Sequence, residues 1–202
     1  MTISDRKSRE KEQRRQSILE AAEKLFARDG YTATSLDRVA EEIEISKGTI
    51  YLYFKNKEDL FFSLIQERFQ QLVETVAEKI AAAATLEELI ETAVSVAMEE
   101  TKKQHYLFRI TSAEQAKVKS PAHRNLRKQM LAIRQRYIEV YSRALARFLP
   151  QAEPDFIKAL ALTLIGTNNA VMMEWMISQS KMDLAAYKSY LTHILLEGVR
   201  HA

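Results

Sequence analysis

Three helix-capping residues, Thr34, Ser46 and Asn56, stand close together in TSLDRVAEEIEISKGTIYLYFKNKEDL, residues 34–60. Each opens a segment with helical apolar spacing. Thr34 with Asp37 three residues on has the form of a capping box, and Leu36, Val39, Ala40 and Ile43 supply a buried face for the helix it starts. Ser46 opens a second short helix, in which Ile50 and Phe54, four apart, point inward. Asn56 opens a third, with Glu58 and Asp59 in the first turn, where the helix dipole favours acids. Two short helices can bury both faces only by packing on each other and on a supporting helix. The turn between them is Ile43-Glu44-Ile45-Ser46, with the isoleucines as apolar pins.

The outer side of the second short helix carries Lys47 and Thr49, and no acid falls between Ile45 and Lys57. A helix of this kind suits the DNA major groove, entered by its N-terminal half. Gly48 has no side chain and permits close approach of a backbone. It also costs about 1 kcal/mol of helix propensity relative to Ala, and its bland alternative is turn chemistry beside a cap. Tyr51 and Tyr53, two apart, flank the inward pair Ile50 and Phe54. Their hydroxyls can reach phosphates on either side of the groove; alternatively they are semi-buried packing aromatics. Lys57 and the helix end it stands on can hold a further phosphate.

The stretch GYTATSLDRVAEEIEISKGTIYLYFKNKEDL resembles the N-terminal signature of the TetR/AcrR family of transcriptional regulators, over about residues 14–62. Gly30-Tyr31, the Thr34-Ser35 cap, Val39-Ala40, Ser46-Lys47-Gly48-Thr49, Tyr51, Tyr53-Phe54, Lys57-Glu58 and Leu60 carry the match. The resemblance implies an all-α homodimer with Lys47, Gly48 and Thr49 at the bases or adjacent backbone. It implies Thr34, Tyr51, Tyr53 and Lys57 at phosphates; Ser35 and Ser46, in the same two runs, complete the DNA-binding set. One departure is Glu44-Ile45, where the family usually has Gly-Val. Glu44 gives up the easy left-handed turn of glycine, which predicts slight local strain or a slightly altered turn without loss of function.

The rest of the chain also reads as helix. Of 202 residues, four are glycine and three proline, and Ala, Leu, Glu, Lys, Arg and Gln are abundant. The expected architecture is all-α, with about nine helices. An N-terminal DNA-binding domain covers 1–56, with the helix-turn-helix at about 35–54, and an effector-binding and dimerisation domain covers 57–202. The first helix runs from near Ser8 to Asp29, with Ile18, Leu19, Ala22, Leu25 and Phe26 on one face. After it and the two short helices, further helices are expected from Lys57 to about Ala84, from Thr85 (boxed with Glu88) to about Lys103, and over 105–118. The last three run from Ser120-Pro121 to about Leu149, over Phe156–Gln179 and over Asp183–His201.

The absence of cysteine excludes disulfides and thiolate metal sites. The four histidines make no metal spacing, and no phosphate-cradling glycine loop or nucleophile elbow is present. No catalytic residue, metal or cofactor is therefore expected. The charged N-terminus lacks a signal-peptide core, which points to the cytoplasm. Ala159–Ile177 is apolar but interrupted by Thr163, Thr167, Asn168, Asn169 and Glu174, so a buried helix is expected and no membrane association.

Residues 1–59 hold twelve Lys/Arg and twelve Asp/Glu, so groove binding would rest on placed contacts more than on a broad basic field. The helix at 156–179, apolar on nearly every side, predicts one face in its own core and one in a second subunit. With the Leu184, Tyr187, Leu191, Ile194, Leu195 and Val199 stripe it would form a homodimer through about 156–201. A dimer suits an inverted-repeat operator in double-stranded DNA. Candidate lining for a small-molecule effector is Phe69, Tyr106, Phe108, Arg109, Met130, Arg134, Tyr137, Asn168, Met172 and Trp175, each also explicable as core. Asn168 needs hydrogen-bond partners if buried, from a ligand or across the dimer. Residues 101–149 hold twelve Lys/Arg against two Asp/Glu. They form either a solvated basic face or, with Arg109 or Arg134 turned inward, a selector for an anionic, hydrophobic effector. The expected role is a repressor released by that effector; the alternative is a helical protein-interaction adaptor without DNA binding.

Overall fold

The computed structural model describes residues 3–103, 121–178 and 181–200. Among these, eight helices and no strand are found: α1 Ile3–Asp29, α2 Leu36–Glu42, α3 Lys47–Tyr51, α4 Lys57–Ala81, α5 Leu86–Lys103, α6 Pro121–Ala146, α7 Pro154–Ile177 and α8 Leu184–Arg200. The fold is all-α, as the composition requires. The helix expected at 105–118 lies outside the described residues.

Packing divides the chain into two units. The first holds α1, α2, α3, α4 through Arg68 and α6 through Lys128; the second holds α4 from Phe69, α5, α6 from Gln129, α7 and α8. The packing boundary thus falls inside α4, whereas the boundary drawn at residue 56 separates elements. The reason is visible in the first core, where Leu60, Phe61 and Leu64 of α4 join Ile18, Leu19, Ala22, Leu25 and Phe26 of α1, with Val39, Ile50 and Phe54 beside them. Phe26 and Phe61 meet edge to face at 5.4 Å, and Tyr31 packs on both, at 5.6 and 4.9 Å. The Arg68 guanidinium pairs with Glu23, and Arg15 reaches Glu67 at 3.3 Å, so α1 and the first half of α4 are also tied by charge.

The helix ends follow local rules. Asn56 Oδ1 accepts from the Asp59 amide at 2.8 Å, and Asp59 Oδ2 accepts from the Lys55 amide at 2.9 Å, which closes the start of α4. Thr85 Oγ1 accepts from the Glu88 amide at 3.1 Å, and Glu88 Oε2 accepts from the Ala84 amide at 2.8 Å, as the spacing predicts. Pro154 opens α7 at its first turn, and Asp183 Oδ1 takes the Ala185 and Ala186 amides of α8 at 3.0 and 3.3 Å. Arg147 donates to Ala81 O and Ala83 O, both at 3.1 Å, covering the C-terminal carbonyls of α4.

One helix start corrects the sequence expectation. Ser35, not Thr34, is the N-cap of α2, its Oγ accepting from the Arg38 amide at 3.2 Å. The third helical position is then Arg38, so no capping box with Asp37 exists.

In the second unit α5 packs on α7 and α8. Its core includes Val73, Val76 and Ile80 of α4, Leu89, Ile90 and Val94 of α5, and Tyr137, Tyr141 and Leu145 of α6. From α7 come Ile157, Leu160, Ala161, Leu164, Met172 and Trp175, and from α8 Leu191 and Leu195. Within this chain α7 is not buried all round. It is long and apolar enough to cross a membrane, yet its buried residues form one inward row, while Leu162, Met173 and Ile177 face outward. The α8 stripe divides likewise: Leu191 and Leu195 are buried, Tyr187 and Ile194 exposed.

Candidate nucleic-acid interface

The α2–α3 pair is locked by its turn. Ile45 N donates to Ala40 O at 3.0 Å and Glu44 N to Glu41 O at 3.2 Å, the two bonds of a Schellman ending. That ending places Glu44 at φ +54, the one non-glycine residue with positive φ among the described residues. Glu44 thus takes the left-handed conformation that glycine would hold more easily, in place of an altered turn. Ile43 and Ile45 pack against the first core, and Ser46 caps α3 by accepting from the Thr49 amide at 3.1 Å.

This arrangement fixes which side of α3 faces out. Ile50 is fully buried and Phe54 nearly so, while Ser46, Lys47, Gly48, Tyr51 and Leu52 are exposed and Thr49 half-exposed. Lys47 Nζ rests on Asp37 of α2, 2.7 Å from its carboxylate, and that hydrogen bond raises the lysine pKa; the ammonium is held ready as a cation. The Ser46 and Thr49 hydroxyls lie 2.9 Å apart. Gly48 has nothing to avoid within the protein, since a Cβ there would meet only Ser46 Oγ at 3.7 Å, an ordinary contact, and its φ is not positive. The fold therefore gives no reason for glycine at 48, and the turn-chemistry alternative loses its support.

The remaining sequence candidates differ in placement. Tyr51 is 49% exposed, whereas Tyr53 is half-buried against the first core, so the two tyrosines are not equivalent flanks. Ser35 is exposed at the start of α2. Thr34 is buried, its hydroxyl donating to Gly30 O at 2.9 Å, which commits it within the protein and takes it out of phosphate reach. Lys57 also differs from expectation: its ammonium donates to Tyr31 O, Thr32 O and Thr34 O. Two residues escaped the sequence argument. The spacing assigns Asp37 to a capping box, whereas its carboxylate holds Lys47. Leu52 is 78% exposed beside Tyr51; its position out of phase with Ile50 and Phe54 was the available signal.

The model for bacterial regulatory proteins of the tetR family matches residues 18–64, and the model for the YsiA-like C-terminal region matches residues 65–198. The chain belongs to the TetR family of bacterial regulatory proteins. As a TetR-family member it is a DNA-binding transcription regulator, and the second match assigns its C-terminal body as well. The TetR-family fold aligns with a crystal structure of the transcriptional regulator FadR from Bacillus subtilis in complex with stearoyl-CoA. The TM-score is 0.70 at 25% identity, over 91% of this chain and 98% of that one. The fatty acid metabolism regulator protein of Bacillus subtilis is 26% identical over 91% of this chain and 94% of its own length. The transcriptional repressor AcnR of Corynebacterium diphtheriae is 42% identical over 65 residues, 32% of this chain and 34% of that protein.

Those candidate effector residues of this TetR-family chain that are among the described residues lie in the second unit. Phe69 and Tyr137 meet edge to face at 6.1 Å, and Tyr137 and Tyr141 at 5.0 Å with their hydroxyls 3.3 Å apart. Burial pushes the Tyr137 hydroxyl up to about 12, against a lowering by the Tyr141 bond, and drives Tyr141 well above its ordinary value. Met172 and Trp175 are buried in the same core, and Met130 is half-buried. Asn168 is buried, and its Oδ1 accepts no hydrogen bond from the described residues. Arg134 is exposed, which fits the solvated-face alternative for it and not the inward one, and removes it from the candidate lining. Tyr106, Phe108 and Arg109 lie outside the described residues. Among the described residues no group of three or more His, Cys, Asp or Glu gathers in a way that could hold a metal.

Proposed function

We propose that this chain is a cytoplasmic transcriptional repressor that binds an inverted-repeat operator as a homodimer and is released by a long-chain acyl effector with an anionic head. Lys47, Gly48 and Thr49 meet the bases or the adjacent backbone, and Ser35, Ser46, Tyr51 and Tyr53 lie along the phosphates. The observation that carries the reading is Gly48: an exposed glycine, inside a capped helix, that nothing in the protein requires. A groove wall pressed against it supplies the missing reason. Gly48→Ala is the sharpest test. The variant should unfold at higher temperature, since alanine gains about 1 kcal/mol of helix propensity, and should bind operator at least tenfold more weakly, about 1.4 kcal/mol. Undiminished DNA binding would reject this placement of α3.

The effector class rests on similarity to the Bacillus subtilis fatty acid regulator and to the stearoyl-CoA complex, together with two buried polar atoms that have no partner among the described residues, Asn168 Oδ1 and Thr192 Oγ1. Asn168 lies on the inward row of α7 with Leu164 and Met172, which favours a ligand donor for its Oδ1 over a bond across a dimer. Calorimetry with stearoyl-CoA and a chain-matched neutral hydrophobe tests the class: tighter binding of the anion is expected, and equal affinity would sink it.

A further inference from the structure

The α1–α2 loop contains five successive carbonyls, from Gly30 to Thr34, and each one is taken. Thr34 Oγ1 donates to Gly30 O at 2.9 Å, and Arg38 donates to Ala33 O at 3.2 Å. The other three accept from Lys57, whose Nζ donates to Tyr31 O at 2.9 Å, Thr32 O at 3.3 Å and Thr34 O at 2.9 Å; Tyr31 O also accepts from the Thr34 amide at 3.3 Å. An ammonium has three N–H donors. All three thus have a backbone acceptor lying between 23 and 26 residues earlier in the chain. The same Nζ stands 4.4 Å from the Tyr31 ring centroid, and that ring packs on Phe26 and Phe61.

We propose that Lys57 is a positioning residue that locks the α1–α2 loop to the first turn of α4 and so sets the pose of the α2–α3 reading pair, rather than a phosphate ligand. The inference rests on the DNA-reading role of α3. Ser35, the cap of α2, directly follows the clamped Thr34 carbonyl, so the direction in which α2 leaves the loop depends on where Lys57 holds it. A DNA phosphate could recruit this ammonium only by stripping Thr32 O and Thr34 O of their charged donor and leaving Tyr31 O with the Thr34 amide at 3.3 Å. Arginine cannot replace it, because a planar guanidinium does not converge on three acceptors around one point.

The test compares wild type, Lys57→Met and Lys57→Arg, using an inverted-repeat duplex selected from a random-sequence pool. The clamp predicts that both variants lose roughly tenfold in affinity, and that Lys57→Met keeps the wild-type slope of log K against log salt. It also predicts faster amide hydrogen exchange across residues 31–36 in both DNA-free variants. A phosphate ligand predicts the reverse: a slope shallower by about 0.9 in Lys57→Met, near wild-type affinity in Lys57→Arg, and unchanged exchange. That pattern overturns the proposal. If Lys57→Met does not fold, affinity and exchange in Lys57→Arg decide. If wild type selects no duplex, the DNA-reading role of α3 has failed, and exchange in the free proteins still decides whether the clamp exists.

Discussion

Glu44 holds a backbone conformation that glycine would hold more easily. Its φ of +54 is imposed by the two Schellman bonds that end α2, and an L-residue there costs roughly 1–2 kcal/mol. Glu44→Gly should remove that strain while adding freedom to the unfolded chain, for a net gain of up to about 1 kcal/mol. A higher urea midpoint with unchanged DNA affinity is the expected result; a lower midpoint would show that the turn is not strained. On the proposed reading, Lys47 and Tyr53 would make two kinds of DNA contact. Lys47→Ala should weaken binding in a sequence-dependent way, and Tyr53→Phe across all sequences, as competition with mismatched duplexes would reveal.

At the level of elements, the start of α2 shows how two adjacent hydroxyl residues divide their work. Ser35 caps the helix, and Thr34 closes the loop onto Gly30 O. Ser35→Ala should cost about 1 kcal/mol of stability, measured by denaturant unfolding. Within α6, the Tyr137–Tyr141 pair makes stability depend on alkaline pH. Both hydroxyls are raised in the folded state, so the folded protein keeps protons that the unfolded chain releases above its ordinary tyrosine value of about 10. Stability is therefore full below about pH 10 and falls as pH rises toward about 12. A decline in urea midpoint from pH 9 to 11 that is reduced in Tyr137→Phe is expected; an identical decline in both would assign it to other groups. The sequence located most helix starts because caps are local chemistry, as at Ser46, Asn56 and Thr85. It misplaced the cap of α2 because Thr34 and Ser35 are equivalent until a carbonyl four residues back selects one.

For the whole molecule, the outward rows of α7 and α8 bear on assembly. Tyr190 is 62% exposed, Ile194 63% and Ile177 67%, large apolar surfaces that a second copy of the chain would cover. Ile194→Glu should shift the protein to monomer in sedimentation and abolish cooperative binding to paired half-sites. A monomeric wild type would remove the dimer from the proposal. The one-sided burial of α7 fits this picture, because residues apolar on both faces of a helix that packs its chain on one face leave the other for a partner.

The sequence by itself determined the all-α class, the helix-turn-helix and its family, because helix periodicity, caps and the spacing of Ile43, Ile45, Ile50 and Phe54 are written within a few turns of chain. It also pointed to Glu44 as a place of slight strain or an altered turn, since that residue stands where glycine is usual, and the structure has the positive φ there. Only the tertiary structure decided what Thr34, Lys57 and Arg134 do. A polar side chain takes whichever partner the fold brings within hydrogen-bond distance, and for Lys57 those partners are carbonyls more than twenty residues away. Charge and residue type name what such a side chain can do, and the packing of α4 against the α1–α2 loop selects which of those it does.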